Sequence, residues 1–196
     1  MKKRTAQVTR KTRETDIRLM MNLDGKGASK IDTGMGFFDH MLELFAKHSL
    51  IDMDLKACGD LRVDAHHTVE DVGICIGQAL KKALGQKKGI ARYGFYSLPM
   101  DEALVSVSLD LSGRPYLRYE VKSKRRRIGS FDLSVIEEFF QALAGNAGLT
   151  LHIEMVCGKN PHHITEAVFK GFAKALSMAI SRSGRDKGVP STKGRL

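Results

Sequence analysis

Two segments of the chain place a pair of adjacent histidines shortly before a glutamate. The segments are DAHHTVEDVGICIGQAL, residues 64–80, and NPHHITEAVFKGFAKAL, residues 160–176. The pattern occurs twice, 96 positions apart (162 − 66), as His66, His67 and Glu70 and again as His162, His163 and Glu166. Because imidazole nitrogens and carboxylate oxygens both bind first-row transition metals, the repeat indicates a metal-binding function.

Helix geometry predicts how each cluster divides its ligands. Both segments have the spacing of a helix, on which residues four apart share a face and neighbours point about 100° apart. In the first cluster, His66 and Glu70 can therefore bind one ion together, whereas His67 points elsewhere. The same holds for the second cluster, so we expect each histidine pair to be divided between two metal sites.

The other histidines also favour two metal sites. The chain has seven histidines, of which His40 lies in GFFDHML and His152 lies in LTLHIE, just before the second cluster. Each of two ions would receive three nitrogens and one carboxylate from His40, His66, His67, His152, His162, His163, Glu70 and Glu166. Such an ion keeps open positions for a substrate. The ligand types suit zinc, iron, nickel or manganese and do not choose among them.

Three other interpretations stay open from the residues alone. A single HHxxE can be only a polar helix start, with its glutamate near the positive end of the helix dipole. A dinuclear metallohydrolase would use the same ligands to activate water. The net charge of +10 also suits a nucleic-acid-binding protein with a structural metal. Structural metal sites are usually closed and cysteine-rich, however, and Cys58, Cys75 and Cys157 are not clustered.

The hydrophobic pattern predicts a similar order of elements in both halves of the chain. In the first half we expect strands near 4–12, 15–23, 28–33 and 51–57, and helices near 37–48 and 67–84. In the second half we expect strands near 102–111, 115–121 and 149–157, and helices near 132–146 and 162–182. The predicted fold is α+β and internally duplicated, with two similar halves, each a mixed or antiparallel sheet covered on one face by two helices. The predicted halves are 1–95 and 96–186, followed by a flexible tail at 187–196.

Composition and local pattern argue against several classes of protein. No apolar run reaches membrane-spanning length, and no signal-peptide h-region follows the basic N-terminus. Three cysteines without CxxC spacing do not indicate a disulfide framework, so we expect a reducing, cytoplasmic location. The basic run SKRRRIG, residues 123–129, has no interleaved aromatics or nucleic-acid-binding motif, and we interpret it as a solvated loop or subunit contact.

Short motifs along nearly the whole chain match one family. They are, in chain order, RETDI (13–17), LDGKG (23–27), TGMGFFDHML (33–42), GDLRVDAHHTVEDVGICIGQAL (59–80), GIARYG (89–94), PMDEAL (99–104), LDLSGRP (109–115), GKNPHHITEAVFK (158–170) and PSTKG (190–194). On these motifs the chain resembles the imidazoleglycerol-phosphate dehydratase family of histidine biosynthesis.

The resemblance implies two Mn(II) ions per active site and an assembly of 24 subunits, with active sites shared between subunits. It implies that the metal ligands are His40, His66, His67, Glu70, His152, His162, His163 and Glu166. The implied substrate contacts are Glu14, His48, Arg92, Arg114, Lys170, Ser191, Thr192 and Lys193. Without the resemblance, Arg92 and Arg114 would be interpreted as surface ion-pair residues, and Asp101 and Glu102 as local capping or pairing residues.

The implied reaction removes water from D-erythro-imidazole glycerol phosphate and yields imidazole acetol phosphate. If the two metals bind the two ring nitrogens, the substrate can be held as an imidazolate, whose electrons expel the C3 hydroxyl and leave the C2 proton acidic. Glu14 is the expected base for that proton. The tail, GVPSTKGRL, is expected to close over the substrate phosphate, because Ser191, Thr192 and Lys193 offer two hydroxyls and a cation. No nucleic acid or membrane is an expected partner.

Overall fold

The computed structural model describes residues 3–123, 125–185 and 187–196, which form strands and helices in two similar sets. The first set is β1 (Thr5–Lys11), β2 (Thr15–Asn22), β3 (Ser29–Asp32), α1 (Gly36–Ser49), β4 (Asp52–Gly59) and α2 (His66–Leu84). The second set is β5 (Tyr93–Met100), β6 (Ala103–Asp110), β7 (Tyr116–Glu120), β8 (Arg127–Ile128), β9 (Phe131–Asp132), α3 (Val135–Ala147), β10 (Thr150–Cys157) and α4 (Pro161–Ile180).

The two four-stranded sheets have the same topology. The first has the strand order β1-β2-β4-β3 and the second has the order β5-β6-β10-β7. In each sheet the first three strands pair antiparallel, and the edge strand, β3 or β7, pairs parallel to its neighbour. The duplicated α+β fold with mixed sheets is therefore confirmed.

The four helices lie between the inner faces of the two sheets. Strand β2 alternates buried Ile17, Leu19 and Met21 with exposed residues, and β6 buries its odd-numbered residues in the same way. Helix α2 packs on β1 and β2, α4 packs on β5 and β6, and the helices meet in the pairs α2–α3 and α1–α4. Within the described residues, no helix combines the length and the apolar character needed to cross a membrane.

Helices α2 and α3 approach each other closely because α2 carries glycines at their contact. A Cβ atom at Gly77 would lie 2.6 Å from the carbonyl oxygen of Leu143, and one at Gly73 would lie 2.5 Å from that of Phe139. Both distances are shorter than side chains allow, so only glycine fits. This contact fixes the position of the helix that begins with His66.

Two features of the second half differ from the expectation. The β5 strand was not predicted, because YGFYSLPM contains Gly94 and Pro99 and lacks a regular alternation. It forms nevertheless at the edge of its sheet, where proline is tolerated, and it extends across the predicted boundary at 95/96. In the basic run, Arg127 and Ile128 form β8 of a small hairpin, while Lys124 lies outside the described residues.

Candidate active site

The N-terminus of α4 brings together three of the predicted metal ligands. The Asn160 side chain accepts a hydrogen bond from the His162 backbone N–H at 2.9 Å, and Pro161 opens the helix. The His162 Nε2 atom then lies 2.9 Å from Glu166 Oε1, and His40 Nε2 lies 3.3 Å from the same oxygen. The three ligand atoms lie within 4.8 Å of one another, a spacing that could hold a metal ion.

The packing of α1 against α4 supplies His40 to this group. The Asp39 carboxylate accepts hydrogen bonds from the backbone N–H and the hydroxyl of Thr33, which fixes the turn that leads into α1. His40 follows directly and faces α4. A helix from the first half and a helix from the second half therefore share one candidate metal site.

Glu166 is held as a carboxylate in this group. Its side chain is only 9% exposed, and Glu166 Oε2 lies 2.5 Å from Lys170 Nζ. Burial acts to raise the pKa of Glu166, but hydrogen bonds from Lys170 and His40 lower it to about 2. Glu166 is thus ionised at neutral pH, as a metal ligand must be. Close to it, His48 is half-buried, and burial together with the Lys170 charge lowers the pKa of His48.

His163, the neighbour of His162, has a different carboxylate partner. Its Nδ1 atom lies 2.8 Å from Glu102 Oε2, while Glu102 Oε1 accepts the backbone N–H groups of Lys159 and Asn160 at 3.1 and 2.7 Å. The hydrogen bond to Glu102 raises the pKa of His163. The Asn160 backbone N–H and His163 lower the pKa of Glu102 to about 2.

The first histidine pair has a similar division at the start of α2. The His66 Nε2 atom lies 3.7 Å from Glu70 Oε2, one helical turn away. The His67 Nδ1 atom lies 3.0 Å from Asp60 Oδ2 and 3.9 Å from Glu14 Oε2, and the hydrogen bond to Asp60 raises the pKa of His67. The planes of the two histidine rings differ by 88°.

One chain does not gather all eight predicted ligands. In the part of the chain that the structure describes, His40, His162 and Glu166 form the only group of three or more close ligand atoms. His152 lies on the exposed face of β10, with its ring 5.6 Å from that of Tyr116. The group of three has two nitrogens and one carboxylate, one nitrogen fewer than the predicted set.

A cavity of about 730 Å³ opens beside the first histidine pair. His66 and Phe37 both line it, and the Phe37 ring contacts the His162 ring at 5.4 Å between centroids. The β8–β9 hairpin forms another wall. The space is large enough for a small substrate.

The predicted tail residues line a second, cationic cavity of about 600 Å³, together with Arg92 and Arg114. Arg92 donates to both carboxylate oxygens of Asp110, at 2.7 and 3.0 Å, and its third nitrogen donates to the Pro190 carbonyl at 2.8 Å. The Arg114 side chain is 73% exposed, and its Nη2 atom lies 3.9 Å from Asp110 Oδ2. Ser191, Thr192 and Lys193 complete the lining, so hydroxyls and cations face one space, as an anion site requires.

Three predicted substrate contacts, Glu14, His48 and Lys170, do not line that cavity. Lys170 bonds to Glu166 beside the candidate metal group, and Glu14 lies beside His67. Sequence reasoning did not find the roles of Asp60 and Asp110, and it assigned Glu102 only local capping or pairing. All three lie within the matched motifs, but nothing in their spacing indicates which side chain each one contacts.

Comparison with known proteins identifies the family. The family model for imidazoleglycerol-phosphate dehydratase matches residues 33–176. The imidazoleglycerol-phosphate dehydratase of Acetivibrio thermocellus is 59% identical over 193 residues, which cover 98% of this chain and 99% of that protein. The one of Caldanaerobacter subterraneus subsp. tengcongensis is 58% identical, with 98% and 100% covered.

Two solved structures have the same fold. The crystal structure of imidazoleglycerol-phosphate dehydratase from Staphylococcus aureus superimposes with a TM-score of 0.84 at 41% identity, covering 91% of this chain and 99% of that chain. The structure from Pyrococcus furiosus, in complex with (S)-C348, gives a TM-score of 0.83 at 40% identity, covering 96% and 100%. The chain belongs to the imidazoleglycerol-phosphate dehydratase family.

Proposed function

We propose that the protein is a metal-dependent hydro-lyase that converts D-erythro-imidazole glycerol phosphate to imidazole acetol phosphate in histidine biosynthesis. The observation that carries the proposal is the group formed by His40, His162 and Glu166, which joins both halves of the chain. The His162 ring also contacts Phe37, which lines the 730 Å³ cavity. Relatives with the name of this enzyme match the chain from end to end, which supports the same assignment.

The proposed cofactor is Mn(II), with two ions per active site. Imidazole nitrogens and carboxylate oxygens form a donor set that suits Mn(II). The proposed ligands are His40, His66, His67, Glu70, His152, His162, His163 and Glu166. The ions, when bound, would act as Lewis acids toward the two ring nitrogens and hold the substrate as an imidazolate.

The chain's own residues would orient the substrate and move its proton. Glu14, whose carboxylate lies near His67, would accept the C2 proton. Arg92, Arg114 and the tail residues Ser191, Thr192 and Lys193 would bind the phosphate in the cationic cavity. His48 and Lys170, which lie close to Glu166, would contact the substrate near the metal group.

The proposed active form is an assembly of 24 chains with sites between subunits. The group of three ligands lacks the third nitrogen of the predicted set, and His152 is exposed on the outer face of its sheet. A neighbouring copy can supply the missing ligands. The exposed aromatic residues Tyr93, Phe95 and Tyr116 on that same sheet also suit burial against another subunit.

Glu14→Gln tests the assigned base, because it removes the proton acceptor and keeps the size of the side chain. We expect kcat to fall by about 10²–10⁴-fold, while Mn(II) content and assembly stay unchanged. Glu43→Gln is the matched control, since Glu43 is exposed on α1 and outside the proposed site. A Glu14→Gln variant with the kcat of the control would exclude Glu14 as the base.

A further inference from the structure

The second histidine of each pair has its Nδ1 atom held by a carboxylate from outside its own helix. His67 Nδ1 lies 3.0 Å from Asp60 Oδ2, and His163 Nδ1 lies 2.8 Å from Glu102 Oε2. The first histidines differ, because His66 and His162 direct Nε2 toward the glutamate one turn along the same helix. The two histidines of a pair thus have distinct partners through distinct nitrogens.

The two carboxylates have different relations to the internal repeat. Asp60 lies directly after β4, seven positions before His67, whereas Glu102 lies in the turn between β5 and β6, 61 positions before His163. The equivalent strands show the counterparts: β2 and β6 differ by 88 positions (103 − 15), which places Glu14 opposite Glu102, and β4 and β10 differ by 98 positions (150 − 52), which places Gly158 opposite Asp60. Glu102 thus has a repeat counterpart in Glu14, whose Oε2 atom lies 3.9 Å from His67 Nδ1, whereas Asp60 has a glycine as its counterpart.

The arrangement fixes which nitrogen of each ring can bind a metal. Carboxylates are ionised at neutral pH and only accept hydrogen bonds, so the Nδ1 atom must carry the proton and donate. The neutral ring then has its lone pair on Nε2, the atom left for a metal. The same hydrogen bond restrains rotation of the ring, because the carboxylate is anchored on a different element.

We propose that Asp60 and Glu102 are positioning residues that hold His67 and His163 in the tautomer and orientation needed for metal binding. The inference rests on the proposed function, in which both histidines are ligands. Neither carboxylate needs to touch the substrate or the ion. Partners of this kind contribute to metal affinity through the ligand that they orient.

The test compares Asp60→Asn and Glu102→Gln with two matched controls in the assembled protein. Asp101→Asn removes a charge 3.8 Å from His163 Nδ1 on a side chain that is 77% exposed. Asp64→Asn removes an exposed charge near His67. In the wild type the Asp64 side chain accepts a hydrogen bond from the His66 backbone N–H at 2.8 Å, and the asparagine keeps an oxygen for that bond. The measurement is Mn(II) affinity, by competition with a chelator of known affinity, together with the thermal midpoint.

We expect Asp60→Asn and Glu102→Gln each to weaken Mn(II) binding by about 10–100-fold, and both controls to bind as the wild type does. Glu102→Gln keeps a side-chain oxygen that can still accept the Lys159 and Asn160 N–H groups. Asp60→Glu retains a carboxylate and should therefore restore part of the Mn(II) affinity that Asp60→Asn loses. A merely structural role would lower the thermal midpoint without this pattern in affinity.

Two results would overturn the inference, and they are distinguishable. If the wild type binds Mn(II) tightly and Asp60→Asn binds it as tightly as Asp64→Asn does, the positioning role is wrong and the proposed function stands. If the wild type itself binds no Mn(II), the proposed function fails and the inference fails with it. If Glu102→Gln does not fold, the Mn(II) affinity of Asp60→Asn alone tests the positioning role. In the wild type both oxygens of the Asp60 carboxylate lie within hydrogen-bond distance of the His67 ring.

Discussion

Replacement of Gly77 by alanine should destabilise the protein, although alanine is the better helix former. A Cβ atom there would lie 2.6 Å from the Leu143 carbonyl oxygen, 2.8 Å from Asn146 Cβ and 3.0 Å from the Ala147 nitrogen. Ordinary contact begins at 3.4 Å, so α2 would have to move away from α3 by 0.8 Å (3.4 − 2.6). The obstructing atoms belong mainly to backbone, which cannot rotate aside.

The magnitude follows from two opposing effects. Alanine in place of glycine inside a helix stabilises by about 1 kcal/mol. Overpacking typically costs about 1–3 kcal/mol, and a rigid backbone obstruction favours the upper end. The net destabilisation of about 2 kcal/mol corresponds to a decrease in the thermal midpoint of roughly 4–8 °C for a chain of this size.

Gly145→Ala provides the matched control on the facing helix. Gly145 lies within α3, and a Cβ atom there would meet no atom within 4 Å in the described structure. We expect this variant to gain up to about 1 kcal/mol and to raise the thermal midpoint by roughly 2–4 °C. Thermal unfolding followed by far-UV circular dichroism, at one scan rate and protein concentration, measures the thermal midpoints of both variants. If Gly77→Ala melted at or above the wild-type midpoint, the close packing of α2 on α3 would be refuted.

Four further predictions address the site and the loops. Deletion of 190–196 should lower kcat/KM for the phosphorylated substrate and leave Mn(II) content intact; a near-normal kcat/KM would show that the tail does not bind the phosphate. Removal of metal with a chelator should release smaller oligomers in light scattering, whereas an unchanged assembly would mean that docking does not depend on metal. His66→Ala and His67→Ala should each lower metal content but disturb different ions in a crystal structure, and both side chains on one ion would contradict the helix argument. Asp52→Asn should lower the free energy of unfolding by about 1 kcal/mol, because the backbone N–H of Lys26 stabilises the ionised carboxylate and so lowers the pKa of Asp52. In denaturant titrations, the difference in unfolding free energy from the wild type should hold above the ordinary pKa of 3.8. It should vanish as pH falls below the folded-state pKa.

The fold could be predicted from the sequence where periodicity and repetition agreed. Helix α2 was expected at 67–84 and spans His66–Leu84, because its apolar residues recur at helical spacing and Gly85 ends it. Strand β5 escaped prediction because its residues are mostly exposed and it follows the edge of the sheet. Its position depends on tertiary contact: a Cβ atom at Gly94 would meet the Ala175 carbonyl, so the strand lies directly against α4.

The candidate site was predictable only in part, for a similar reason. The contact of His162 with Glu166 follows from helix geometry within one segment. The approach of His40 to Glu166 depends on how α1 packs against α4. The contacts of Asp60 and Glu102 with the histidine rings depend on how folding places the segment after β4 and the β5–β6 turn. Local spacing carries no information about such long-range contacts.

Direct assay of dehydration tests the central claim. Purified protein is incubated with D-erythro-imidazole glycerol phosphate and Mn(II), and the ketone product, imidazole acetol phosphate, is measured against a chelator-treated sample. We expect product to form with Mn(II) and to be lost on chelation, with no release of inorganic phosphate. Absence of dehydration across several divalent metals, or release of phosphate as from a hydrolase, would contradict the proposed function.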